Sequence, residues 1–311
     1  MSRAVLPRRT RPAAVAAALL AVLAGCAPAG SSSSGTPSAS GAAPSSAGAV
    51  ASGTAPGGEC AKGSLKLRRA GTFTVATDNP VYEPWFVDNK PANGKGFESA
   101  VAYAVAGKLG FTPAEVTWTT ASFSAVIAPG PKAFDVDVNE VSITPERRKG
   151  IDFSTGYYDV TQALLTVKGG RLAGAKGIAD LKGARLGAQV GTTSYRTITD
   201  VIKPSGKPAV FNTNDDAKLA LANGQIDGLV LDLPTALYEA SGGDSVLKNG
   251  ALVGQFENTG GTPEQFGIVL DLGSPLTACV SKAVDALRAD GTLKRLEQTW
   301  LTASAGAPVL R

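Results

Sequence analysis

From residue 72 to residue 240 the chain returns repeatedly to one pattern: a short β-rich apolar run, a turn, then a helical stretch. The pattern predicts strands at 72–76, 116–119 and 135–138. Between them lie a helix with Phe97, Val101, Val105 and Leu109 at four-residue spacing and a short helix at 123–127. A second series begins at residue 185. Strands at 185–190, 209–211 and 226–231 alternate with a helix opened by Gly191-Thr192-Thr193-Ser194 and helices at 215–223 and 234–240. Such alternation restricts the chain to an α/β fold with mainly parallel sheets, whose ligands sit beyond the C-terminal strand ends. Apolar runs at 163–167 and 266–270 carry the chain from one series to the other and back, and helices at 276–289 and 293–301 close it. The expected organisation is two lobes, 60–163 plus 264–311 and 164–263. Two crossings near 160–168 and 257–266 join them, and a cleft lies between them.

The first 59 residues follow other rules. Arg3, Arg8, Arg9 and Arg11 precede an apolar run at 13–23 that is too short for a comfortable membrane span, the form of an export signal over residues 1–25. Leu23-Ala24-Gly25-Cys26 has the form of a lipobox, in which Cys26 is lipidated and becomes the mature N-terminus. Residues 26–59 are dominated by Ala, Gly, Ser, Pro and Thr, a composition that buries too little surface to fold. They read as a flexible tether with a reach on the order of 30 Å. The expected location is the extracytoplasmic face of the cell membrane, held by a lipid anchor.

The 30 basic residues exceed the 26 acidic ones by the number of arginines in the signal, so the mature chain is balanced and offers no case for nucleic acid binding. No histidine occurs, which removes the commonest general base and metal ligand and with them triads and zinc hydrolase sites. No metal or cofactor is implied. With Cys26 assigned to lipidation, Cys60 and Cys279 remain as an even pair in an oxidising compartment and predict a disulfide. Two separate buried thiols are the other reading.

Thr144-Pro145-Glu146-Arg147 reads as a helix start: Thr144 as cap, Pro145 at the first helical position, Glu146 opposing the dipole. Free N–H groups and the Arg147 guanidinium fork together suit two-point capture of a carboxylate. An ordinary capped surface helix with a solvated arginine is the alternative.

Six landmarks stand in order along the chain. They are Asp78 to Trp85 after the first strand, Gly94-Lys-Gly-Phe97-Glu98, and Ser142-Ile-Thr-Pro-Glu-Arg147 with Asp152-Phe-Ser154. Gly191-Thr-Thr193, Gly224-Gln-Ile-Asp227 with Asp232, and Gln265-Phe-Gly267 complete the set. In this order the segment from about 68 to 302 resembles the polar-amino-acid solute-binding proteins of ABC importers. The resemblance implies a two-lobed periplasmic-binding-protein-like fold that closes on a free amino acid without catalysis. It further implies an ABC permease as partner and a monomeric protein. Carried onto this sequence, it implies that Arg147 clamps the ligand carboxylate with the Ser142 hydroxyl, and that Thr193, with Thr192, donates from the second lobe. Asp232 would accept from the α-ammonium, with a helix N-cap before Pro234 as its other reading. Asp78 reads as a ligand acceptor or a turn residue. Tyr82 and Trp85 read as an aromatic wall or as core, and Phe123 as the opposite wall or as core.

The sequence departs from the family pattern twice. Glu140 stands two positions before the serine of Ser142-Ile-Thr-Pro, where the family has a small residue. A carboxylate there needs a partner, either a basic residue of the protein or a cationic ligand side chain. The ligand expected is a polar or charged amino acid, with a lean to a basic or amide side chain. Phe97-Glu98 replaces the usual Phe-Asp and reads as a helix cap. Competing classes are a binder or sensor of an opine or small organic acid, and a dehydratase on the same fold. Against the enzyme, the only visible acid–base pair is Glu140 and Asp232.

Overall fold

The computed structural model describes residues 58–242, 246–258, 263–301 and 306–311. The signal segment, Cys26 and the tether up to residue 57 lie outside the described residues. Among those described, no helix is long and apolar enough to cross a membrane.

The first series runs β1 (Phe73–Thr77), α1 (Phe97–Lys108), β2 (Val116–Thr120), α2 (Phe123–Ile127) and β3 (Val136–Asp137), then β4 (Ile151–Val160). One residue later β5 (Gln162–Val167) begins the second series. It continues through β6 (Leu186–Gln189), α3 (Thr193–Arg196), β7 (Ala209–Phe211), α4 (Asn214–Ala222), β8 (Gly228–Asp232), α5 (Leu233–Ala240) and β9 (Gly250–Phe256). The chain finishes with β10 (Glu264–Asp271), α6 (Thr277–Ala289), α7 (Thr292–Trp300) and β11 (Val309–Leu310).

Two sheets result, in the orders β2-β1-β3-β10-β4 and β11-β9-β5-β8-β6-β7. The βα units are parallel as expected: β1 with β2 and β3, and β6 with β7 and β8. The sheets as wholes are mixed rather than mainly parallel. β10 runs antiparallel to β3 and β4, and β5 runs antiparallel to β8 and β9, because both arrive from the other lobe. The first crossing narrows to Thr161, between β4 and β5. The second lies between Phe256 and Glu264.

The chain end departs from expectation. β11 pairs in parallel with β9, so residues 309–310 belong to the second sheet although 264–311 was assigned to the first lobe. Burial draws them there: Leu310 is enclosed with Leu164, Val253 and Phe256, and Gln255 donates its backbone N–H to Pro308 O (2.7 Å) and its side-chain amide to Ala307 O (2.9 Å). β5 and β8 show why the second sheet is covered on both faces. Leu164 and Val230 point into one apolar layer, while Ala163, Leu165, Leu229 and Leu231 point into the other, the period-two alternation of a strand.

The first lobe is built around an aromatic nest, with Trp85 packed edge-on against Phe97, Tyr158 and Phe266 at centroid distances of 6.0, 5.7 and 5.5 Å. Gly96 makes the approach possible. Its φ is 96°, and a Cβ there would lie 2.3 Å from Trp85 O. The N–H groups of Phe97 and Glu98, free at a helix start, donate to Pro84 O and Trp85 O at 3.0 Å each. The preceding loop therefore caps α1 with its backbone, and Glu98 is not the cap expected of it. Cys60 and Cys279 are disulfide-bonded, with α-carbons 5.3 Å apart, which ties the start of the fold to α6.

Candidate functional site

Asp78 follows β1, Asn139 and Glu140 follow β3, Thr192 and Thr193 follow β6, and Asp232 ends β8. These C-terminal strand ends, where an open α/β sheet presents its ligand crevice, border a cleft of about 910 Å³, its mouth included. Nine of the ten expected ligand residues line it: Asp78, Tyr82, Phe123, Glu140, Ser142, Arg147, Thr192, Thr193 and Asp232.

Trp85 is the exception. It is fully buried behind the wall, and its indole N–H donates to Thr235 Oγ1 of the second lobe (2.8 Å). Its place in the aromatic nest accounts for its size, and of the two aromatics expected on that side only Tyr82 lines the cleft, with Phe86 beside it in the lining.

Arg147 is held from both lobes. One guanidinium nitrogen donates to Ser142 O (2.6 Å) and another to Gly191 O (2.9 Å), and the guanidinium carbon lies 5.3 Å from the centre of the Phe123 ring. Burial lowers its pKa to about 10, opposed by Glu264 and then Asp232, so it stays cationic at neutral pH. The expected helix is absent. Arg147–Lys149 form a single 3-10 turn, and Gly150 then leads directly into β4. Thr144 does close the turn, its Oγ1 accepting from Arg147 N (3.2 Å). A turn this short contributes no helix dipole, and the site's positive charge is the guanidinium itself.

Carboxyls dominate the rest of the cleft. Asp232 sits at the N-cap position of α5 without capping it; its Oδ1 accepts from Gln162 Nε2 (2.6 Å). Burial, then Glu264, holds its pKa well above the usual carboxylate range. Glu140 accepts from Thr235 Oγ1 (2.9 Å) and is pushed well up by burial, then by Glu98 and Asp232. Asp78 accepts from Asn79 N (2.7 Å) and Phe123 N (3.1 Å), tying the end of β1 to α2 as a turn residue while still facing the cleft. Asp215, unforeseen in the sequence, is answered by Lys218 Nζ at 2.8 Å.

The hydroxyls divide by task. Thr192 accepts from Tyr195 N (3.1 Å) and donates to Gln189 O (2.7 Å), which is a capping role for α3. Thr193 Oγ1 lies 3.3 Å from Ser142 Oγ across the cleft and accepts from Gln162 Nε2 (3.3 Å). Ser142 Oγ also donates to Glu264. Tyr82 is packed against Lys218, whose Nζ is 4.3 Å from the ring centre. Thr235, Gln162, Glu264 and Glu98 were not read as site residues from the sequence. Only Glu98 carried a signal, as a departure from the family pattern.

Comparison with known proteins agrees with this architecture. A family model described as bacterial extracellular solute-binding proteins, family 3, matches residues 73–303. The chain is 29% identical over 235 residues to ABC transporter arginine-binding protein 1 of Escherichia coli (strain K12), covering 73% of this chain and 89% of that one. Among solved structures it is similar to an ancestral arginine-binding protein bound to arginine, with a TM-score of 0.60, 30% identity and coverage of 74% and 98%. It is also similar to an ancestral amino acid-binding protein described as a precursor of cyclohexadienyl dehydratase, with a TM-score of 0.59, 30% identity and coverage of 74% and 95%. The fold thus sits near an enzyme lineage, but the close relatives are binding proteins of amino-acid ABC transporters. Two mixed sheets, a cleft at their strand ends and a matching profile over 73–303 say the same thing: the chain belongs to the bacterial extracellular solute-binding proteins, family 3.

Proposed function

We propose that this protein captures a cationic amino acid, arginine foremost, and presents it to an ABC permease from a lipid anchor at Cys26. The observation that carries this reading is the charge inventory of the cleft. Among the described lining residues Arg147 is the only cation, against Asp78, Glu140, Asp215 and Asp232. Asp215 is answered by Lys218, and Asp78 is engaged by two backbone N–H groups. A free amino acid brings a carboxylate for Arg147, with Thr193 and Ser142 beside it, and an ammonium for Asp232. Glu140 is then left with one hydroxyl as partner, which is poor company for a desolvated carboxylate, and a cationic side chain supplies the missing charge. A simple organic acid supplies neither the ammonium nor the side-chain cation. The arginine named for the E. coli relative and bound in the ancestral structure supports the same choice.

Capture proceeds by rotation of the two lobes about Thr161 and the segment between Phe256 and Glu264. The cross-lobe contacts of Arg147 with Gly191, Trp85 with Thr235 and Ser142 with Thr193 belong to the closed arrangement. The test is calorimetric titration of the mature chain, kept in detergent, with each common amino acid. Arginine or lysine is expected to bind more tightly than any neutral or acidic amino acid. Arg147→Ala is expected to lose about 2–4 kcal/mol, roughly 30- to 1,000-fold, with the fold intact. Tighter binding of a neutral or acidic amino acid would remove the cationic ligand, and unchanged affinity in Arg147→Ala would remove the clamp.

A further inference from the structure

The two positions where the sequence departs from the family pattern touch each other. Glu98, the second residue of α1, accepts at Oε1 from the backbone N–H of Glu140 (2.7 Å) and from the Tyr157 hydroxyl. Glu140 has φ 52°, in the left-handed region that a glutamate avoids, so something must hold it there. Glu98 is wholly buried, and its Oε2 has no hydrogen-bond partner among the described residues. Such a carboxyl is costly to enclose, and α1 does not need it, since the Pro84 and Trp85 carbonyls already cap the helix.

We propose that Glu98 is the positioning residue that fixes the left-handed turn at Glu140, aims its carboxyl into the cleft and so sets the preference for a cationic over a neutral side chain. This rests on the reading of Glu140 given above. The groups that face Glu98 are the Tyr157 hydroxyl from β4, Asp137 from β3 and Glu140 from the loop beyond it. Asp78 and Asp232 act on the same stack from farther away, and Lys132 offsets the charge at Asp137. Asp137 is itself wholly buried with no hydrogen-bond partner for either oxygen among the described residues. A stack of acids this deep retains protons. Burial, eased by Tyr157 and the Glu140 N–H, puts Glu98 at about 7, and Asp137 is raised well above its usual range by burial and then Glu98. Glu140 is the member of the stack that lines the cleft, so a bound cation meets its carboxyl directly and favours its ionised form, the proton leaving to solvent.

The experiment compares arginine with citrulline, the neutral side chain of the same length, on the mature chain and on Glu140→Gln, Glu98→Ala, Glu98→Gln and Glu98→Asp. The natural chain is expected to favour arginine by more than about tenfold, and Glu140→Gln to bring the ratio near one. If Glu140→Gln keeps the ratio, the role of Glu140 fails and the proposal with it. Glu98→Ala is expected to lower the ratio by about tenfold. Glu98→Gln, whose amide oxygen accepts the same N–H, is expected to hold it within about twofold. A ratio that collapses in Glu140→Gln but survives in Glu98→Ala overturns the proposal for Glu98 alone. Equal loss in Glu98→Gln and Glu98→Ala also overturns it, by pointing to charge rather than position. Should Glu98→Ala fail to fold, Glu98→Asp decides. One methylene shorter, it falls short of the N–H, and an unchanged ratio there counts against the proposal.

Discussion

At Glu140 and Asp232 the cleft keeps two carboxyls protonated well above the pH at which the same groups ionise in an unfolded chain. Burial is the first cause in both, followed by Glu98 at Glu140 and by Glu264 at Asp232. The folded, ligand-free chain therefore binds protons that the unfolded chain releases. Stability from these groups is present on the acid side and is lost as pH rises through their folded values, with Glu98 at about 7 marking the window. The unfolding midpoint of the ligand-free protein is expected to fall between about pH 6 and pH 8, read by circular dichroism. A cationic ligand binds the deprotonated acids, so its stabilising shift is expected to grow over the same interval. A midpoint that rises with pH, or a ligand shift that shrinks, would contradict this assignment. At this scale the sequence put Arg147 and Asp232 at the cleft, where both side chains lie. It was ambiguous where two roles need the same side chain: an aromatic wall and an aromatic core both want Trp85, and only the packing against Phe97, Tyr158 and Phe266 decides.

Among the elements, α5 matters most for closure because its first turn carries Thr235 into the first lobe. There its hydroxyl accepts from the Trp85 indole and donates to Glu140. Thr235→Val keeps the shape but leaves the Trp85 indole N–H without its acceptor and removes the hydroxyl that Glu140 accepts from, a loss of about 1–3 kcal/mol. Ligand release, followed by tryptophan fluorescence in stopped flow, is expected to accelerate about 5- to 100-fold. An unchanged rate would mean that the contact does not hold the lobes together. The short helix α2 and the strand β7 were legible from local pattern alone, since each is bounded by turn residues and has one clear apolar period. β4 and β9 were not. β4 is buried on both faces along most of its length and interrupted by Gly156, so its residues do not alternate. β9 carries Gly250 and Gly254, which leave room for Glu239 O and Pro308 O to approach. The segment at Arg147 misled for the opposite reason. Its capping residues are genuine, but three residues later Gly150 hands the chain to β4 and no helix has room to form.

For the whole molecule, two-lobed topology followed from the repeated βα series, whereas the place of the chain end did not. Pairing of β11 with β9 depends on Leu310 finding an apolar pocket some 55 residues away in sequence, and no local pattern encodes that. The cross-link from Cys60 to Cys279 spans 219 residues, and Cys279→Ser is expected to cost about 2–5 kcal/mol in chemical denaturation with ligand affinity unchanged. A loss of affinity equal to the loss of stability would show that the bond also shapes the cleft. The same bond has a mechanical consequence. Any pull arriving along the backbone from the N-terminal side meets a covalent rivet at α6 before it reaches a single strand of either sheet. The load is borne by the first lobe as a body, so a pull from that side is taken up by the frame that carries α6 and does not pass directly into the second sheet.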